Sequence, residues 1–165
     1  MDKLEYIPGD LVMTNGAPIG TKKGVAYVVT ASDPSRTLTL KDGTVLKGVV
    51  TLDAVTKEDK EHFVETSTWV KHIVPVPLTP EILEKNGWKK KVMNRGILNS
   101  HWVYTKPEIE EYGYFPIYIE KGIGKEFDVY PFAYNKLCTQ ITYIKYVHEL
   151  QHLLFGLGLN SEMEV

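Results

Sequence analysis

Three observations predict an α+β chain. Up to residue 77, short β-branched runs alternate with Gly, Pro and Asp turn signals. Beyond it, Thr79-Pro80 and Asn86-Gly87 bracket a short helical pattern, and residues 142–158 carry a longer amphipathic one. The architecture expected is an N-terminal SH3-like small β-barrel over 1–77, then an α+β unit over 78–165 in which an antiparallel sheet packs against a C-terminal helix.

In the first part, Asp10 to Thr14 reads as one strand and Gly24 to Thr30 as a second, closed by a turn at Asp33-Pro34-Ser35. Arg36 to Leu40 reads as a third, and Lys41-Asp42-Gly43 as a tight hairpin into Thr44 to Thr51. Thr56 to Glu61 is a mixed-charge run with the pattern of a solvated loop before strand returns over Val64 to Val76. Thr79 as N-cap, Pro80 at the first helical position, Glu81 in the first turn and Asn86-Gly87 as the stop predict a two-turn helix over 80–86. Strands follow over Trp88 to Met93, Ile97 to Tyr104, Tyr114 to Glu120 and Glu126 to Phe132, with turns at Asn94-Arg95-Gly96, Tyr112-Gly113 and Gly122-Ile123-Gly124.

The last element is predicted as a helix of about four turns over 142–158. At about 100° per residue, Tyr143, Val147, Leu150, Leu154 and Leu157 form one apolar stripe with Gln151 inside it and His148 on its shoulder. Glu149 points away from the stripe, and His152 falls near the solvent side.

Composition bounds the function classes. A chain of 165 residues with 43% hydrophobic and 24% charged residues excludes collagen-like, coiled-coil and low-complexity classes. Nineteen basic against 21 acidic residues leave a net charge of −2, so no global positive field favours nucleic acid and any polyanion site must be local. Cys138 is the only cysteine, which excludes an intramolecular disulfide and four-cysteine zinc sites and fits a reducing cytosol. The opening Met1-Asp2-Lys3-Leu4-Glu5-Tyr6 is acidic where a signal peptide is basic. The apolar run Leu153 to Leu159 is about a third of the ~20 residues that span a bilayer. A cytoplasmic protein without membrane contact is expected, and a homo-oligomer is compatible with this composition.

Two local motifs carry chemistry. His148-Glu149-Leu150-Gln151-His152 fits the HExxH pattern, in which two histidines one helical turn apart ligate zinc and the glutamate acts as general base. The pattern needs a third ligand. Gly158 stands where one zinc-peptidase class places it, and Glu162 and Glu164 fall in a tail expected to fray. Lys89-Lys90-Lys91 with Arg95, near Trp88 and Trp102, is a basic and aromatic mixture of the kind that holds phosphates and stacks bases. Its ordinary alternative is a solvated face. Gly122 and Gly124 lack the strand and helix of a dinucleotide fingerprint, and the sequence has neither a Walker motif nor a Gly-x-Ser-x-Gly elbow.

Three segments carry a resemblance: Ile7-Pro8-Gly9-Asp10-Leu11-Val12, Val76-Pro77-Leu78-Thr79-Pro80-Glu81-Ile82-Leu83-Glu84-Lys85-Asn86-Gly87-Trp88, and Tyr146-Val147-His148-Glu149-Leu150-Gln151-His152-Leu153-Leu154-Phe155. In order and spacing the chain resembles an uncharacterised small-protein family of Bacteroidetes and their phages. Its members open with a Gly-Asn/Asp strand, carry a central Pro-Leu-Thr-x-Glu-x-Leu segment and close with a helix like VHQLQNLYF and a short acidic tail. His148, Leu150 and Gln151 are the shared helix positions, whereas Glu149 and His152 replace the family's Gln and Asn. The resemblance implies that the zinc motif is a coincidence of two substitutions, and it brings no activity with it. It also turns attention to Gln151, because a buried amide must pair with a strand edge, His148 or a ligand.

The leading functional expectation is a non-enzymatic binding protein of phage type, without cofactor or metal. It would capture a small anionic ligand, such as a signalling nucleotide, or a host protein, in the host cytoplasm. The expected ligand-binding residues are His148, Gln151, Trp88, Lys90, Arg95 and Trp102, with no catalytic residue. One alternative is a zinc-dependent hydrolase using His148, Glu149 and His152; another is a virion or assembly component.

Overall fold

The computed structural model describes residues 5–94, 100–106, 117–122, 124, 126–131 and 140–165. It is a mixed α+β structure, dominated by strands, whose contacts divide it into two units. The first comprises Met1–Val76 with Leu150–Met163, and the second Pro77–Glu149 with Glu164–Val165. The division falls one residue before the expected boundary, and the later turns of the closing helix group with the first unit.

In the first unit, β1 (Leu11–Thr14), β2 (Ala26–Thr39), β3 (Val45–Ala54), β4 (Thr66–Trp69) and β5 (Ile73–Pro75) form one antiparallel sheet in the order β4-β3-β2-β1-β5. No ladder joins β4 to β5 among the described residues, so the sheet is open where a closed barrel was expected. The Asp-Gly hairpin between β2 and β3 forms as predicted: Leu40 N–H donates to Thr44 O at 2.8 Å, and Asp42 Oδ1 accepts from Thr44 N at 2.9 Å.

Asp33-Pro34-Ser35, expected as a turn, is instead a bulge inside the single long strand β2, with a register shift between Asp33 and Thr37. Proline has no amide to give a ladder and is accommodated at such an irregularity. Across from it Gly48 has φ +68°, and a Cβ there would lie 2.9 Å from Val70 Cγ2, so only glycine fits this crossing. Alternate residues of β3, namely Leu46, Gly48, Val50, Leu52 and Ala54, are buried, as one sheet face on a core requires. That core gathers Tyr6, Val12, Tyr27, Val29, Val50, Leu52 and Ile73.

The mixed-charge run is not a loop. Thr56 caps α1 (Lys57–Lys60) by accepting from Asp59 N at 3.1 Å, which suffices for one turn. The predicted strand over Val64 to Val76 is split into β4 and β5 by a 3-10 turn at Val70–His72.

In the second unit, α2 (Pro80–Lys85) follows the predicted caps. Thr79 Oγ1 accepts from Ile82 N, Gly87 at φ +81° donates to Glu84 O, and Trp88 N donates to Leu83 O, which together complete a Schellman stop. A meander of β6 (Lys89–Asn94), β7 (Ser100–Thr105), β8 (Ile117–Lys121), β9 (Phe127–Pro131) and β10 (Thr142–Ile144) forms the second antiparallel sheet in sequence order. Ile97–Asn99, Tyr114–Pro116, Phe132, the turn residues Arg95 and Gly96, the Tyr112-Gly113 turn and Ile123 lie outside the described residues. Buried Leu83, Trp88, Val103, Ile119, Phe127, Val129 and Ile144 supply its core.

The closing helix α3 spans Val147–Gly156, not 142–158. Thr142-Tyr143-Ile144 pairs with β9 as β10, in keeping with the strand preference of β-branched and aromatic residues, and Tyr143 is exposed rather than part of the helical stripe. The start at Val147 is set by Glu149. Its Oε2 reaches back to accept from Tyr146 N at 3.1 Å and Lys145 N at 2.6 Å, the carboxylate half of a capping box. At the other end Gly158 N donates to Phe155 O and Leu159 N to Leu154 O, so Gly158 does mark the stop. No described helix is long and apolar enough to cross a membrane.

Candidate functional site

Burial along α3 follows the predicted stripe where the helix exists: Val147, Leu150 and Leu154 are buried, and so are the polar Gln151 and His148. Gln151 is paired at both ends. Its Oε1 accepts from Leu11 N at 2.9 Å, and its Nε2 donates to Gly9 O at 2.9 Å and Ser161 O at 3.3 Å. The side-chain amide thus extends the β1 hydrogen-bond ladder at Leu11, one residue before Val12 pairs with Pro75 of β5. Of the partners expected for a buried amide there, the strand edge is the one it takes, which ties the helix to β1.

His152 departs from its expected position near solvent. Its side chain is 31% exposed, and Nε2 donates into the Asp10 carboxylate, 2.8 Å from Oδ2 and 2.9 Å from Oδ1. Asp10 is itself only 1% exposed and also accepts from Ile7 N at 2.8 Å. Burying a carboxylate demands such partners, so Asp10 and His152 hold the Ile7-Pro8-Gly9-Asp10 turn onto the helix. Sequence reasoning missed Asp10 as a partner because 142 residues separate the two. The one available hint was an aspartate at a strand entrance, where a carboxylate turns back on its own backbone.

Beside this pair lies a cleft of about 260 Å³, lined by Ile7, Pro8, Asp10, His152, Phe155 and Glu162. Glu149, expected to face solvent, is half-buried and engaged as the helix cap. His148 stacks on Tyr146 with ring centroids 5.8 Å apart. Among the described residues no group of three or more His, Cys, Asp or Glu side chains is placed to hold a metal ion. The tail expected to fray is held: Asn86 Nδ2 donates to Glu164 O at 2.7 Å and its Oδ1 accepts from Glu164 N at 2.8 Å.

The basic and aromatic candidates of the second unit separate. Trp88, expected at the ligand surface, is 2% exposed and belongs to the core beside the α2 stop. Arg95 lies outside the described residues. Lys90 and Trp102 do come together: in the β6–β7 ladder Lys90 pairs with Tyr104 and Val92 with Trp102, which puts all four on one face, and Lys90 Nζ stands 4.8 Å from the Trp102 ring centroid. Trp102 is 57% exposed and Val92 45%. Tyr104 behind them is buried, and its phenol is pushed above the ordinary range, first by burial and then by the charges of Glu84 and Glu81.

No protein-family model matches this chain, and no curated protein or solved structure shows significant similarity to it.

Proposed function

We propose that the chain is a non-enzymatic binding protein that captures an anionic partner on the Lys90–Trp102 face of its second sheet. One observation carries the reading: a tryptophan left 57% exposed on a strand, with a lysine ammonium over its ring. An exposed indole beside a cation offers a stacking or packing surface together with a charge for an anion. The Asp10–Gln151–His152 cluster supports the other half of the reading, because its Gln151 and carboxylate hydrogen bonds go to the protein itself. Two clefts of the first unit measure about 220 and 260 Å³. Both fall below the ~300 Å³ at which enclosed small-molecule sites begin.

The resemblance to a family of Bacteroidetes and their phages supports reading the host cytoplasm as the place where this binding would occur. In this reading the first sheet serves as an SH3-like scaffold, supported by its five antiparallel strands and the bulged β2–β3 pair.

Tryptophan emission tests the proposal, since Trp88 is buried and Trp102 is the most exposed of the three indoles. Titration with a signalling dinucleotide, a short oligonucleotide or an acidic peptide should shift the emission, and the shift should be lost in Trp102→Leu and Lys90→Gln. Binding unaffected by either substitution overturns the site. Stoichiometric zinc in the purified protein, with hydrolysis lost on chelation, would favour the zinc hydrolase of His148-Glu149-x-x-His152 instead.

A further inference from the structure

Among the described residues the two sheets have four edge strands, and they are not alike. β4 has four residues without charge, β5 three ending in Pro75, and β10 three. Short edges and prolines are the usual ways of making a sheet edge unattractive to another strand. β6 is different. It runs six residues, Lys89 to Asn94, and Lys89, Lys90, Lys91 and Val92 are all exposed. Lysines on an edge prevent two copies of the same chain from pairing, and that explains the charge. It does not explain an exposed Trp102 directly across from exposed Val92, since a guard against self-pairing needs no apolar surface.

Resting on the binding function proposed above, we propose that the outer edge of β6 takes up an extended acidic segment of a partner protein as an added strand. Side chains alternate across a strand, so Lys90 lies on the Trp102 face while Lys89 and Lys91 lie on the other. A strand paired there has Lys90 on one face and Lys89 on the other, and consecutive carboxylates complement that arrangement. The outward N–H and C=O groups of β6 supply affinity without regard to sequence, the lysines select for acid, and Trp102 with Val92 offers an apolar contact on one side. A polyanion such as single-stranded nucleic acid would use the charge and the indole but not the backbone edge.

The test uses the full chain and three labelled probes. One is a ten-residue peptide with three consecutive glutamates between valines and threonines, the second is the same peptide N-methylated along its central residues, and the third is a ten-nucleotide oligo-dT. The first should bind and slow amide exchange at alternate residues of β6. N-methylation, which removes the pairing donors and keeps every charge, should weaken binding at least about tenfold, and Lys90→Glu should do the same. Equal binding of the methylated peptide, or binding of oligo-dT alone, overturns strand addition while leaving an anion-binding face. Failure of all three probes overturns strand addition, and overturns the anion-binding face as well when the signalling dinucleotide also leaves the emission unchanged.

Discussion

The molecule has two side-chain clusters put to opposite uses, one of an amide, a carboxylate and an imidazole, the other of an ammonium and an indole. Gln151, Asp10 and His152 are turned inward: Gln151 and Asp10 are 5% and 1% exposed, and the amide and the carboxylate have protein partners at 3.3 Å or less. Lys90 and Trp102 are turned outward, and a cation over an exposed ring joins them. A buried polar group costs free energy unless it is paired, so an inward cluster persists only when it is saturated and therefore serves the fold. An exposed aromatic faces no such demand, and its apolar surface is free to serve a partner. Of the HExxH string, Glu149 caps the helix and His152 meets Asp10, whereas a plain lysine run lies beside the exposed indole.

The comparison breaks most visibly at the inward junction. Leu150→Ala should destabilise the chain by ~2–5 kcal/mol, as truncation of a fully buried leucine does. Gln151→Leu should cost about 1–3 kcal/mol, because it leaves Leu11 N–H buried without its partner and releases Gly9 C=O. Urea unfolding measures both, and a Gln151→Leu curve that overlays the parent would show that Gln151 does not tie the helix to β1.

Next in size come the members of the buried pair. Asp10→Ala should cost about 1–3 kcal/mol by releasing the His152 ring and Ile7 N–H together. His152→Asn, which the helical wheel alone would pass as silent, should be measurably destabilising. A double-mutant cycle between the two positions should give a coupling of at least ~0.5 kcal/mol; additive costs would mean that the contact contributes nothing.

Glu149 offers a finer discrimination. Glu149→Ala removes the cap from Tyr146 N and Lys145 N and should cost about 0.5–2 kcal/mol, whereas Glu149→Gln keeps an acceptor oxygen and should cost less. A general base would show the reverse emphasis, with activity lost in the glutamine variant at unchanged stability. The smallest stability effects belong to the outward junction: Trp102→Leu and Lys90→Gln should each stay within about ±0.5 kcal/mol while abolishing the emission response to an anionic partner. Thermal melts beside the titration separate the two.

Much of the fold was legible because its signals are local. The Thr79-Pro80 start and the Asn86-Gly87 stop of α2, the Asp42-Gly43 hairpin and the apolar positions Val147, Leu150 and Leu154 each depend on a few neighbouring residues and their backbone preferences. What only the tertiary structure decided depends on partners far away in sequence. Asp33-Pro34-Ser35 has the composition of a turn, but pairing of β2 with β3 on both sides of it carries the strand through as a bulge. Thr142 to Ile144 fits the helical period, yet the ladder offered by β9 and the cap at Glu149 place it in a strand. Whether a lysine-rich strand lies at an edge, whether Trp88 or Trp102 faces water, and that Asp10 meets His152 are likewise set by strand order and long-range packing. A propensity worth a fraction of a kcal/mol per residue yields when several backbone hydrogen bonds and a buried face are at stake, and local sequence does not contain that competition.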